Sequence, residues 1–274
     1  MVEREKFGDL QRGRRNFLAA GSLLAGRLLA GVAVAQIAIS RANAGNGNGN
    51  NGNGNGNGGN GGGAACFLRG TRLLTPDGER KIEDFRIGDL LMTLSGEAKP
   101  ITWIGRSVYR RSTDSRYPQS VLPVRVAKGA LGPDTPHCDL FISQQHAQWV
   151  DGLFIKAFDL VNGSSITLQS AAELSEIEYL HVKLARHDVI FAEGAPTETL
   201  LVHSGNVERF DNFVEYLRLF GEDATEEARC APIAFGNTRE RLMSRLRSAV
   251  SPWVDCRNEF DKVRDRIEEI ADLV

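Results

Sequence analysis

Between Cys66 and about Gly205 apolar side chains recur at every second position, in short runs separated by tight turns. Leu90, Met92 and Leu94 alternate with Leu91, Thr93 and Ser95; Leu180, Val182 and Leu184 alternate with His181 and Lys183. Both have the two-residue period of a strand, and the second places His181 and Lys183 on a solvent face. Thr75-Pro76-Asp77-Gly78 is a turn in which Pro presets its own φ and Gly closes the loop. In "QWVDGLFIK", Asp151-Gly152 suits a type I′ hairpin between β-rich flanks, and Asn162-Gly163 repeats the signal. Short strands at this spacing predict a mainly β fold, a compact all-β domain.

Beyond Asn206 the period becomes helical. Phe210, Phe213, Val214 and Leu217 share one helical face, with Gly221 as the stop. Ser251-Pro252 reads as an N-cap followed by Pro at the first helical position. Phe260, Val263, Ile267, Ile270 and Val274 then form an apolar seam. Under three heptads long, it serves either to pack on its own domain or, through helix 253–274, to meet a partner.

The chain before Cys66 has a different character. Residues 1–44 combine a basic start, a weakly apolar run and Ala42-Asn43-Ala44, whose small–x–small form suits signal cleavage after Ala44. Arg14 and Arg15, followed by Asn16, Phe17 and Leu18, resemble the twin-arginine export motif. Arg27 splits the apolar run into pieces too short for about 30 Å of hydrocarbon, so no stable membrane anchor is expected after processing. Residues 45–63 are Gly and Asn alone, with nothing to bury, and 45–65 read as a flexible linker. The division predicted is signal (1–44), linker (45–65), β-domain (66–205) and an α-helical C-terminal extension (206–274), in an exported, periplasmic or secreted protein.

A net charge of −2 offers no electrostatic reason for a nucleic-acid partner. The four cysteines, at 66, 138, 230 and 256, include no CxxC pair and are too scattered for a disulfide framework. Cys230 and Cys256 either pair after export or serve as small core residues, and Cys138 in "DTPHCDL" reads as an inert turn residue. No carboxylate or thiol stands at ligand spacing to the five histidines, so no metal and no cofactor are expected.

Cys66 is left at the seam between linker and domain. The segment it opens, "CFLRGTRLLTPDGERKIEDFRIGDLLMT", resembles the first block of Hint domains, the self-processing module of hedgehog proteins and inteins. The bacterial Hint-type domains of secreted proteins are the most similar. "DLFISQQHAQWVDGLFIKAFDLVNG" resembles the second block, with Ser143 three positions before His146. "YLHVKLARHDVIFAEGAPTETLL" resembles the late block and carries His187. The resemblance covers about residues 66–203.

It implies an N–S acyl shift in which the Cys66 sulfur attacks the carbonyl of Ala65. A thiolate is the nucleophile, and the leaving amide nitrogen must be protonated, work suited to a histidine near neutral pH. His146 matches that role, Ser143 would hold the scissile peptide, and His187 would assist capture of the thioester by water or another nucleophile. The residues also allow a bland reading, with Cys66 a small buried hydrophobe and Ser143 and His146 satisfying each other inside the barrel. Where an intein ends in His-Asn, this chain has His203-Ser204, which argues against splicing. An acidic helper cannot be matched, and Asp134 and Asp139 are the guesses. A catalytically silent surface or partner-binding module remains the alternative.

Overall fold

The computed structural model describes residues 64–111, 117–170, 174–203, 205–221, 228–234 and 238–272. Arg14, Arg15, Ala44 and the Gly/Asn tract lie outside the described residues. The chain runs through β1 (Phe67–Leu68), β2 (Arg72–Thr75), β3 (Gly78–Lys81), β4 (Leu90–Met92) and β5 (Ala98–Pro100). It continues with β6 (Trp103–Arg110), β7 (Val124–Val126), β8 (Leu140–Ile142), β9 (Ala147–Val150) and β10 (Leu153–Lys156). A short helix α1 (Ala157–Leu160) precedes β11 (Ile166–Leu168), β12 (Glu176–Lys183), β13 (Val189–Ala192) and β14 (Ala195–Glu198). The last described elements are α2 (Phe213–Phe220), β15 (Ile233–Ala234), α3 (Thr238–Val250) and α4 (Glu259–Ala271).

One sheet orders its strands β11-β7-β8-β1-β12-β6, a second β15-β10-β9-β14-β13-β2-β3, and β4 pairs with β5. Most of the described chain is strand and turn, as the alternation predicts, with the longer helices near its end. The two-residue β1 lies between β8 and β12, with Phe67 opposite both Ile142 and Leu180. Phe67 is fully buried, so the start of the described domain is anchored at the centre of a sheet.

The turns fold for the reasons their sequences suggest. Asp151 and Gly152 both take positive φ, at 50° and 85°, and close the β9–β10 hairpin as a type I′ turn. Thr75 and Gly78 face each other across the β2–β3 turn, where the Thr75 hydroxyl donates to the Gly78 carbonyl at 2.7 Å. Asn162-Gly163, by contrast, is no hairpin. It joins α1 to β11, and the Asn162 side-chain oxygen accepts the N–H of Ser164 and of Ile166.

Two further expectations need correction. His181 and Lys183 are buried, because β12 pairs along its whole length with β6 and is covered on both faces. At β4 the period holds: Leu91 and Thr93 point inward, while Leu90 and Leu94 are exposed. Ser251-Pro252 does not start a helix. It follows α3, and α4 begins after Asn258, whose side chain accepts the Asp261 N–H while Asp261 answers to the Asn258 N–H. That capping box satisfies two otherwise orphaned N–H groups.

The tail packs in two ways. Phe210 and Tyr216 set their rings edge-on against Trp103, at 5.2 and 5.1 Å between centroids. Gly105 permits this approach, since a Cβ there would meet the Phe210 ring at 2.5 Å. Phe210 lies before α2 and Val214 on α2 is exposed, so the expected common helical face of Phe210, Phe213, Val214 and Leu217 does not form. Phe260, Val263 and Ile267 of α4 join the principal core. These three seam residues are therefore covered by the domain itself, Ile270 is half-buried and Val274 lies outside the described residues, while the exposed apolar residues Leu242, Met243, Leu246 and Val250 belong to α3. No described helix is long and apolar enough to cross a membrane.

Candidate functional site

Cys66 immediately precedes β1, and Ser143 immediately follows β8; the pairing of those strands puts the two residues side by side. The Ser143 Oγ accepts the Cys66 N–H at 2.9 Å and donates to the Ala64 carbonyl at 2.9 Å. The Ser143 N–H in turn donates to the Cys66 carbonyl at 2.8 Å. One hydroxyl thus touches the chain on both sides of Ala65 and holds the nitrogen of the Ala65–Cys66 peptide. Cys66 is 1% exposed, and burial pushes its thiol pKa well up, so the resting group is a protonated thiol.

His146 lies one turn beyond Ser143, its N–H donating to the Ser143 carbonyl at 3.1 Å. Its ring is fully buried, packed on Phe67 at 4.3 Å between centroids. The Nε2 atom is 2.8 Å from the Thr197 Oγ1, while Nδ1 has no hydrogen-bond partner. Thr197 also receives a bond from the Gln148 amide and lies 3.2 Å from the Ala147 carbonyl. If its hydroxyl donates to Ala147, the ring keeps its proton on Nε2 and leaves Nδ1 free as a base. Burial outweighs the Glu198 charge and lowers the His146 pKa to about 4, so the ring is neutral near pH 7.

His187 is buried as deeply in side chain but lives in another field. Its Nε2 is 3.6 Å from the Glu198 Oε2, an ion-pair contact too long for a hydrogen bond. Burial pulls its pKa down, yet the Cys230 side chain and the Glu198 carboxylate lift it to about 9. The Cys230 N–H also points at Nδ1 at 3.2 Å, which suits a neutral ring. The two influences agree on one point: a proton sits on Nε2, toward Glu198.

The structure therefore brings Ala65, Cys66, Ser143 and His146 together, and links His187 to them through Glu198. That carboxylate accepts the Ala147 N–H on its Oε1 at 2.7 Å while its Oε2 faces His187. Sequence reasoning missed Glu198, although it lies inside the quoted late block. It left the acidic helper unmatched, with Asp134 and Asp139 only as guesses. Asp139 pairs with Arg125 at 2.7 Å and accepts the Lys128 N–H, and Asp134 is exposed in a turn. His181 was also missed: its ring lies 4.7 Å from that of His146, with neither nitrogen bonded. Burial and the neighbouring histidines hold its pKa well down. Cys230 and Cys256 are free thiols on exposed residues, neither paired nor in the core. His203 is exposed, and Ser204 lies outside the described residues.

Residues 65–204, just over half of the 274-residue chain, match the Hint domain family. The chain belongs to that family. Solved structures of Hint relatives are similar at low identity. The gp41-1 intein is 13% identical at a TM-score of 0.35, covering 48% of this chain and 97% of the intein. A DnaB intein from Synechocystis sp. PCC 6803 is 8% identical at 0.36, covering 50% of this chain and all of its own. A bacterial intein-like domain from Clostridium thermocellum is 16% identical at 0.35, covering 49% of this chain and 96% of its own. The family match, not these likenesses, assigns the Hint domain. No curated protein matches the chain.

Proposed function

We propose that this Hint domain cleaves its own chain at Ala65–Cys66 by an N–S acyl shift, without splicing. The observation that carries the reading is the Ser143 hydroxyl, bonded to the Cys66 N–H and to the Ala64 carbonyl across the scissile peptide. The Cys66 Sγ attacks the Ala65 carbonyl carbon, the C–N bond to Cys66 breaks, and a thioester and a free Cys66 amine result. His146 takes the thiol proton and passes it to the departing nitrogen, so the proton count closes within the site. A neutral ring suits that shuttle, because it can accept before it donates. Water or an added nucleophile then attacks the thioester carbonyl and releases the Cys66 thiol. His187, with Nε2–H held toward Glu198, supplies positive potential beside this step.

Arg14-Arg15 and Ala44 support export of the precursor, with cleavage slow or triggered outside the cytoplasm so that the signal is not lost early. Changing both arginines to Lys should strand the precursor in the cytoplasm, and unaltered export would refute the twin-arginine reading.

The deciding measurement for cleavage is the intact mass of folded, reduced protein over a day, with and without hydroxylamine. Loss of everything before Cys66, faster with hydroxylamine and absent in Cys66→Ala, is the expected result. An intact linker under both conditions would leave a silent surface module as the function.

A further inference from the structure

Away from Cys66, the fold assembles a second cluster that spacing along the chain conceals. His137 and Cys138 end the loop before β8, and Glu193 forms the β13–β14 turn, yet their ligand atoms lie within 4.8 Å of one another. The Cys138 thiol donates to the Glu193 Oε2 at 2.9 Å. Glu193 is 6% exposed, so its carboxylate points inward at the thiol instead of into water. Its other oxygen accepts the Arg72 N–H at 2.7 Å, which fixes it in place. The His137 Nε2 is 2.7 Å from the Glu79 Oε1 on β3, and the His137 N–H donates to the Glu193 carbonyl. Gly194 leaves room for the ring: a Cβ there would lie 2.8 Å from the His137 Cδ2.

We propose that His137, Cys138 and Glu193 form a binding site for a zinc-type divalent metal, with Glu79 orienting His137. One imidazole nitrogen, one sulfur and one carboxylate oxygen make a donor set suited to zinc, and three protein ligands leave a fourth position for water. Because Nε2 is taken by Glu79, Nδ1 is the nitrogen left for the metal. A carboxylate bonded to the second nitrogen of a ligating histidine is the usual way its orientation is set. Binding displaces the proton that Cys138 now gives to Glu193, and that proton leaves to solvent. With the β2–β3 hairpin joined only through Glu79, the metal would clip the loop before β8 to the β13–β14 turn. That turn leads directly to Thr197 and Glu198.

The plainer reading is a clasp of two hydrogen-bonded pairs, and cobalt(II) separates the two. Titrated into the reduced full chain, Co(II) should bind once and show a thiolate-to-cobalt charge-transfer band with intense tetrahedral d–d bands, both removed by Zn(II). Cys138→Ser should lose the charge-transfer band. His137→Ala should weaken binding at least about 100-fold, and Glu79→Gln by about 10–100-fold, the range for an outer partner. Glu193→Gln keeps an oxygen for the Arg72 N–H, so it should fold and still bind poorly; circular dichroism checks the fold. Cys66→Ala and Cys230→Ser should bind as the parent does. No charge-transfer band in the parent would overturn the proposal. So would a band that survives Cys138→Ser, or one that depends on Cys66 or Cys230.

Discussion

Two cysteine–histidine pairs meet at adjacent residues of β14: His146 reaches Thr197, and His187 reaches Glu198. Both rings are buried, yet their surroundings drive them apart. His146 sees a hydroxyl, the Phe67 ring and the neutral His181 ring, so desolvation governs and its pKa falls to about 4. His187 sees a carboxylate and the Cys230 side chain, which overcome the same penalty and raise it to about 9. The thiols differ in parallel, Cys66 buried and Cys230 on an exposed residue. Similar residue types are thereby given different work: a dry, neutral proton shuttle at the scissile bond and a polarised neighbour behind it. Histidine roles follow from environment more than from residue type.

The sharpest way to break the comparison is to exchange the thiols' importance. Cys66→Ala should abolish release of the linker, since no thioester can form, whereas Cys230→Ala should slow it less than about tenfold, the effect of losing one hydrogen bond. Equal losses measured by mass spectrometry would show that the two corners act as one site.

Next in size is the proton shuttle. His146→Ala should slow cleavage by about 10²–10⁴-fold, the range for a positioned general acid–base group. The loss should persist across pH, because no other described side chain bonds the Cys66 nitrogen except Ser143.

The two histidines also titrate stability in opposite directions. The His146 pKa is lower in the fold than in the unfolded chain, near 6.5, so stability falls as pH drops from about 6.5 to about 4. The His187 pKa is higher in the fold, so its contribution is full below about 6.5 and is lost as pH rises through about 9. Each is worth about 3 kcal/mol at its limit. Denaturant melts of Glu198→Gln should weaken the alkaline limb, leaving the share due to Cys230, and keep the acid one. Unchanged alkaline behaviour would remove Glu198 as the source of the charge.

The smallest effect belongs to Ser143. Ser143→Ala removes two hydrogen bonds about the scissile peptide but no proton-transfer group, so cleavage should slow by about tenfold. A loss as large as that of His146→Ala would make the serine part of the proton path.

The amino-acid order alone determined the features that are local in the chain. Asp151-Gly152 dictates its hairpin because only a few residues accept two successive positive φ values. The alternation in 180–184 dictates a strand, and the blocks around Cys66, Ser143, His146 and His187 carry the Hint resemblance in their order. What is non-local stayed hidden. Alternation cannot tell a half-exposed strand from one covered on both faces, so only the packing of the His181 ring on Phe67 and His146 revealed that it is buried. Glu198 has no feature in "GAPTETLL" that marks it as the partner of His187; the strand register places it there. Likewise His137 and Cys138 look unaccompanied along the chain, because Glu193 arrives beside them only when the β13–β14 turn folds back. A pKa, an ion pair and a ligand set depend on distance and solvent access in three dimensions, and those are decided by packing, not by spacing.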